Sequence, residues 1–110
     1  MKTFNVAKEF SKTPFGRYST DSPYSAENFR DSILIPLFSE NENEKITIDF
    51  TGIAMGLGSS FLEEAFGGMV RQGIDANIIK NKLIIKSKLP IYESQIFRFI
   101  DEAAQSYRNG

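Results

Sequence analysis

The chain has no cysteine, no histidine and no tryptophan, and only 4 prolines in 110 residues. Without cysteine there are no disulfides, no thiolate nucleophile and no zinc site built on sulfur. Without histidine as well, Ser-His-Asp and Cys-His arrangements are excluded, as is imidazole ligation of a transition metal. Any chemistry has to come from carboxylates, Lys, Arg, Ser, Thr, Tyr or backbone amides. An excess of one charge is missing too. Thirteen basic residues face 14 acidic ones, a net charge of -1, so no global field draws the chain onto nucleic acid or an anionic membrane. Neither is expected as a partner. No stretch approaches the apolar length of a membrane span, and "MKTFNVAKEFSK" has no apolar run of signal-peptide length. The expectation is a cytoplasmic protein.

What is present is 41% hydrophobic residues, 10 of them Phe, in 110 positions. That suffices for one two-layer core and not for two. Residues 1–110 are therefore expected to form a single domain.

Residues 3–6 suit a short first strand. Then "SKTPFGRYSTDSPYS" carries Pro14, Gly16, Asp21 and Pro23, which mark a long polar loop. Phe15, Tyr18 and Tyr24 give that loop apolar anchors, so it is expected to be ordered. Ser25 fits the N-cap of a helix in which Phe29, Ile33, Pro36 and Leu37 repeat at helical spacing, with Pro36 expected to kink or end it. After the acidic turn "SENENEK", Ile46, Ile48 and Phe50 alternate with Thr47 and Asp49, the clearest strand signal in the chain. "TGIAMGLG" leads into a helix over residues 59–72. On its wheel Phe61, Leu62, Ala65, Phe66, Met69 and Val70 form a broad core-facing half, opposite Ser60, Glu63, Glu64, Gly67 and Arg71. "KNKLIIKSK" suits a strand with Leu83 and Ile85 inward and Lys80, Lys82, Lys86 and Lys88 on the other parity. A last helix spans residues 91–107, with Tyr92, Ile96, Phe99, Ile100, Ala103 and Tyr107 in one stripe. Alternating strands and helices imply an α/β fold, a small mixed sheet packed with helices.

The stretch "GLGSSFLEEAFGG", residues 56–68, concentrates the chemistry. A glycine-rich turn between strand and helix exposes amides at the positive end of the helix dipole, which is a general anion site. It lacks the P-loop lysine and the third glycine of a dinucleotide fingerprint. The alternative is that Ser59 or Ser60 is the N-cap and Glu63 or Glu64 completes the first turn in capping-box manner. Gly67 and Gly68 are explained by neither. Each costs roughly 0.5–1 kcal/mol in a helix relative to Ala, so something comes close there: a partner on the outward face, or an internal loop such as residues 18–24. Arg17 suits a guanidinium clamp on an anion near Ser59, or a pairing with Asp21 that shapes the loop. Asp49 stands near a strand's carboxyl end, where open α/β sheets take ligands, or is a turn residue. The four lysines read as a solvated face that discourages edge pairing, or as a surface for an acidic partner.

The runs "GRYSTDSPYSAENFRDSILIPLF", "ITIDFTG" and "GSSFLEEAFGGMVR", with the closing strand and helix, resemble the bacterial STAS-like domain family of unknown function. The resemblance covers nearly the whole chain. It implies a small mixed sheet with helices packed on it, and protein interaction rather than catalysis. In the anti-sigma-factor antagonists of the broader STAS group, a strand and turn lead to a serine at a helix start. A partner kinase, an ATPase of the histidine-kinase-like fold, phosphorylates that serine. The corresponding order here is residues 46–50, the turn 52–58, then Ser59 and Ser60; Gly58 stands where those antagonists usually carry Asp.

The leading expectation is a non-enzymatic regulatory module, without metal or cofactor. It binds a protein partner through residues 52–60 and the outward face of the next helix, and a phosphate at Ser59 or Ser60 is its switch. Candidate surface residues are Arg17, Asp21, Gly56, Gly58, Glu63, Glu64, Gly67 and Arg71. The alternative is a small anion or nucleotide site built from the amides of residues 56–60 with Arg17. A carboxylate enzyme using Asp21, Asp49, Glu63 or Glu64, with Mg²⁺ as the fitting ion, ranks last. Adjacent glutamates on a helix point about 100° apart and do not readily share one substrate.

Overall fold

Ile46, Thr47, Ile48 and Asp49 form strand β2 (Ile46–Asp49), and all four are buried. Alternation alone would leave half of them in solvent. They are covered because β2 is the centre of a three-stranded sheet, with β1 (Lys2–Asn5) on one side and β3 (Leu83–Lys86) on the other. The sheet is small and packed with helices, as expected, but its strands run parallel rather than mixed. Parallel neighbours need a crossover instead of a hairpin, and here each crossover contains helix. Phe4, Ile48 and Ile85 lie in one register row and face the core; Thr3, Thr47 and Ile84 lie in the row beside it and point to the other face. In β3 Leu83 and Ile85 are buried while Ile84 and Lys86 are exposed, the predicted alternation. The computed structural model describes residues 1–54 and 56–109, with side chains as far as Ser106.

A short helix, α1 (Val6–Glu9), continues from β1; Asn5 caps it by accepting from the Lys8 amide at 3.0 Å. Helix α2 covers residues 26–40. Ser25 is its N-cap as predicted, accepting from the Asn28 amide at 3.2 Å. Pro36 does not end it. A π turn, Arg30–Leu34, precedes the α-helical stretch Ile35–Glu40, so the change of hydrogen-bond register and the missing proline N–H fall at the same point. Helix α3 covers residues 59–71 and also contains a π turn, Glu63–Gly67, between Ser59–Leu62 and Gly68–Arg71. Its six predicted core residues are all buried.

Helix α4 (Ala76–Lys82) comes next, capped by Asp75. It corrects the reading of the lysines, since Lys80 and Lys82 belong to α4 rather than to β3. The helical turn carries Lys82 inward beside Ile79, and Lys82 is buried instead of lying on a solvated face. Helix α5 (Ile91–Asn109) buries Tyr92, Ile96, Phe99, Ile100 and Ala103; the Tyr107 side chain lies outside the described residues.

The core is one continuous cluster. Its centre is Phe29, whose ring stands within 6.5 Å of Phe4, Phe10, Phe50, Phe61 and Phe66, centre to centre. Such mutually tilted rings gain edge-to-face attraction beyond their burial. Phe29 thus fastens α2 to α3 and to the strands beneath.

Candidate functional site

Six charged side chains meet where α2 and α3 cross. Glu63 accepts from Arg17 Nη1 at 2.9 Å and from Arg71 Nη1 at 2.6 Å. Glu64 accepts from the same Arg17 nitrogen at 3.0 Å and from Arg30 Nη1 at 2.5 Å. Arg30 closes the set with Asp31, at 2.7 Å through Nε. Three guanidinium groups therefore face three carboxylates, and the cluster is neutral. Arg30 is the buried member, its side chain only 6% exposed and Glu64's 12%.

The electrostatics agree with the geometry. Burial acts to raise the Glu63 carboxyl, yet hydrogen bonds and charge from Arg71 and Arg17 outweigh it and hold that group below the ordinary glutamate value. Glu63 raises the Arg17 guanidinium further, against burial and with help from Glu64. For Arg30, burial lowers and Asp31 and Glu64 raise, with a net increase. Each shift favours the charged form of Arg17, Arg30 and Glu63, the form that the ion pairs engage.

Several expectations change. Arg17 does not pair with Asp21; it reaches across to α3, while Asp21 accepts from the Tyr18 amide at 3.0 Å and holds the loop turn. The hydrogen bonds of Arg17 go to Glu63 and Glu64, not to the amides of residues 56–60. Glu63 and Glu64 do not complete a capping box, because their oxygens are taken by arginines. The N-cap of α3 is Gly58, with no side-chain cap bond, and Ser59 and Ser60 are the first two helical residues, both exposed. Among the described residues no group of three or more Asp and Glu is placed to hold a metal ion.

The two glycines belong to the same network. A Cβ on Gly68 would lie 2.8 Å from Arg30 Nη1 and 2.9 Å from its Cδ, so the missing side chain is the room that Arg30 occupies. A Cβ on Gly67 would lie 2.8 Å from Glu63 Oε2 and 3.4 Å from the Phe99 carbonyl of α5. Gly67 is buried, not outward: its close neighbours are Glu63, Arg71 and α5, not the 18–24 loop. Glu63 and Arg71 fold over Gly67 from α3 itself, α2 and α5 pack against this half of the helix, and residues 65–70 are all buried.

A different surface forms at the carboxyl edge of the sheet. The segments that leave the strands gather there: the Ala54 amide donates to the Lys12 carbonyl at 2.7 Å, and the Leu57 amide donates to Tyr92 Oη at 2.9 Å. Gly56 sits against that phenol, where a Cβ would come 3.5 Å from the oxygen. Asp49 is the turn residue at the end of β2, accepting from the Thr51 amide at 2.8 Å and the Thr51 hydroxyl at 2.6 Å. Burial raises its carboxyl, but the Thr51 bonds, with Lys86 and Lys8, bring it below the ordinary value. Phe50, Thr51, Ile53, Gly56, Lys88 and Leu89 line a cleft of about 280 Å³ here. Leu89 on its lining and Ile91, two residues on, are more than half exposed. Nothing in the sequence singled out Leu89 or Ile91; an apolar pair beside Pro90 in a polar stretch was the available signal.

Among the described residues no helix is long and apolar enough to cross a membrane. No curated protein and no solved structure matches the chain. The family described as a STAS-like domain of unknown function (DUF4325) matches residues 25–88, more than half of the 110. This span runs from the N-cap of α2 to just past β3 and holds the carboxyl-edge loop and every member of the ion network except Arg17. The chain belongs to that STAS-like family.

Proposed function

We propose that this protein is a non-enzymatic, regulatory interaction module that meets a protein partner at the carboxyl edge of its sheet. The supporting observation is where apolar surface is left in solvent. Of the eight large hydrophobic residues exposed among the described residues, Phe15, Tyr18, Tyr24, Leu89 and Ile91 sit on the segments after β1 and β3. Exposed apolar side chains on the segments that leave the strands at this edge are available as a contact surface. The charged candidates Arg17, Glu63, Glu64 and Arg71 support this by contrast, because their pairing leaves them little capacity for substrate or acid-base chemistry.

The family resemblance suggests an ATPase of the histidine-kinase-like fold as partner, and the protein is then cytoplasmic, since such a kinase draws on ATP. Ser59 and Ser60 fit a switch: both are exposed, at the first turn of α3, three and four residues after the cleft-lining Gly56. A phosphate there is tolerated by the helix dipole while adding about two negative charges to the contact surface.

The test is co-expression with an ATPase encoded beside this protein, followed by affinity capture and intact-mass measurement. The wild type should bind and gain a phosphoryl group. The Ser59→Ala, Ser60→Ala double variant should bind without gaining it, and Leu89→Asp with Ile91→Asp should abolish capture. Capture unaffected by the aspartates would remove the carboxyl edge from the proposal; capture without phosphate would leave a plain adaptor.

A further inference from the structure

At the opposite end of the sheet, where α2 finishes and α4 leads into β3, Lys82 is only 7% exposed. Its ammonium donates to the Phe38 carbonyl at 3.0 Å and stands 5.4 Å from the centre of the Phe38 ring. Among the described residues it forms no ion pair with any carboxylate. An ammonium carries three donors, of which Phe38 takes one. A buried charge without a counter-charge is unfavourable, and buried charges are ordinarily paired.

A cavity of about 450 Å³ opens beside this group. Phe38, Ile74 and Ile78 supply apolar wall, and Ser39 supplies a hydroxyl. The volume falls in the range of small-molecule sites. Two acids border the opening. Asp75 is committed to capping α4, accepting from the amides of Asn77 and Ile78 at 2.8 and 3.3 Å. Glu42 is exposed and lies on the rim. Those acids repel any anion, and a dianion such as phosphate about twice as strongly as a singly charged one. One cation among apolar walls suits one negative charge carried on a hydrocarbon group.

We propose that this cavity binds a small apolar monocarboxylate, its carboxylate on Lys82 and its hydrocarbon part against Phe38, Ile74 and Ile78. The site is separate from the carboxyl edge and stands whether or not the interaction reading does. A ligand here bridges the end of α2, the turn after α3 and the start of α4.

The experiment is an amide NMR titration of the folded protein with hexanoate, with hexanamide as neutral isostere and hexylammonium as cation. Hexanoate should shift the amides of Ile74, Asp75, Ile78 and Lys82 saturably. Hexanamide should bind at least about tenfold more weakly, as should hexanoate to Lys82→Met, since a charge-assisted hydrogen bond is lost in both. Glu42→Gln, at an exposed position, should keep the fold and tighten hexanoate roughly two- to threefold. Should Lys82→Met fail to fold, the hexanamide comparison and Glu42→Gln decide the matter on folded protein. Equal binding of hexanamide, preference for hexylammonium, or no saturable shift at roughly tens of millimolar hexanoate would each overturn the proposal.

Discussion

The π turn of α3, Glu63–Gly67, and the residues just before it, 50–60, are close together in the chain yet satisfy their polar groups in opposite ways. At the π turn three arginines and three carboxylates consume one another, and the glycines beside them make room for the pairing. At the carboxyl edge the serines are exposed, and leucine and isoleucine lie in solvent. The difference teaches that the residues carrying most chemical signal in a sequence can be spent on holding two helices together. The surface left for a partner is then assembled from residues with little signal of their own.

The contrast breaks most directly at Glu64. Glu64→Ala leaves the buried Arg30 guanidinium with the half-exposed Asp31 as its remaining partner, and removal of one member of a buried pair strands the other charge. We expect a loss of roughly 3 kcal/mol, read by urea unfolding. A loss under about 1 kcal/mol would show that the network is surface decoration.

Gly68→Ala drives a methyl into Arg30 and should cost about 1–2 kcal/mol in the same assay, despite the better helix propensity of Ala. Neutral behaviour would mean that Arg30 has space to move.

Acid sharpens the comparison. Glu63 and Asp49 are held below their ordinary values of 4.5 and 3.8. The unfolded chain therefore takes up protons first as pH falls, and stability present above those values is lost below them as pH passes through the folded values. Glu63→Gln should flatten that acid limb of the melting temperature, leaving the part due to Asp49.

Gly67→Ala should change stability by less than about 1 kcal/mol, since helix propensity gained offsets crowding of the Glu63 carboxylate and the Phe99 carbonyl. Smallest of all is the effect of Leu89→Asp, within about 0.5 kcal/mol because the side chain is already in solvent. A fall like that of Glu64→Ala would make Leu89 part of the core and erase the contrast between the two regions.

Much of the fold was legible along the chain. The Ile46-Ile48-Phe50 alternation, the apolar half of α3, the stripe of α5 and the Ser25 cap depend on neighbours two to four residues apart, and such periodicities survive folding. Helix α4 was hidden because its lysines at residues 80 and 82 also fit a strand's parity. Gly67 falls on the outward side of an ideal wheel, which does not show that Glu63, Arg71 and the backbone of α5 close over it. The candidate site was less legible. Residues 56–68 stood out, but besides Arg71 the partners of Glu63 and Glu64 lie at residues 17 and 30, and Gly67 has a neighbour as distant in the chain as Phe99.

By itself the sequence determined which chemistry is excluded, which residues are apolar on which period, and the family to which they belong. Tertiary structure alone decided that Arg17 meets Glu63 and Glu64, that Gly68 makes room for Arg30, that Lys82 is buried without a carboxylate, and that Leu89 borders a cleft. Local pattern is set by bonds along the chain, whereas these contacts join residues tens of positions apart. Their energies exist only once α2, α3 and α5 have packed on the sheet and closed the intervening loops.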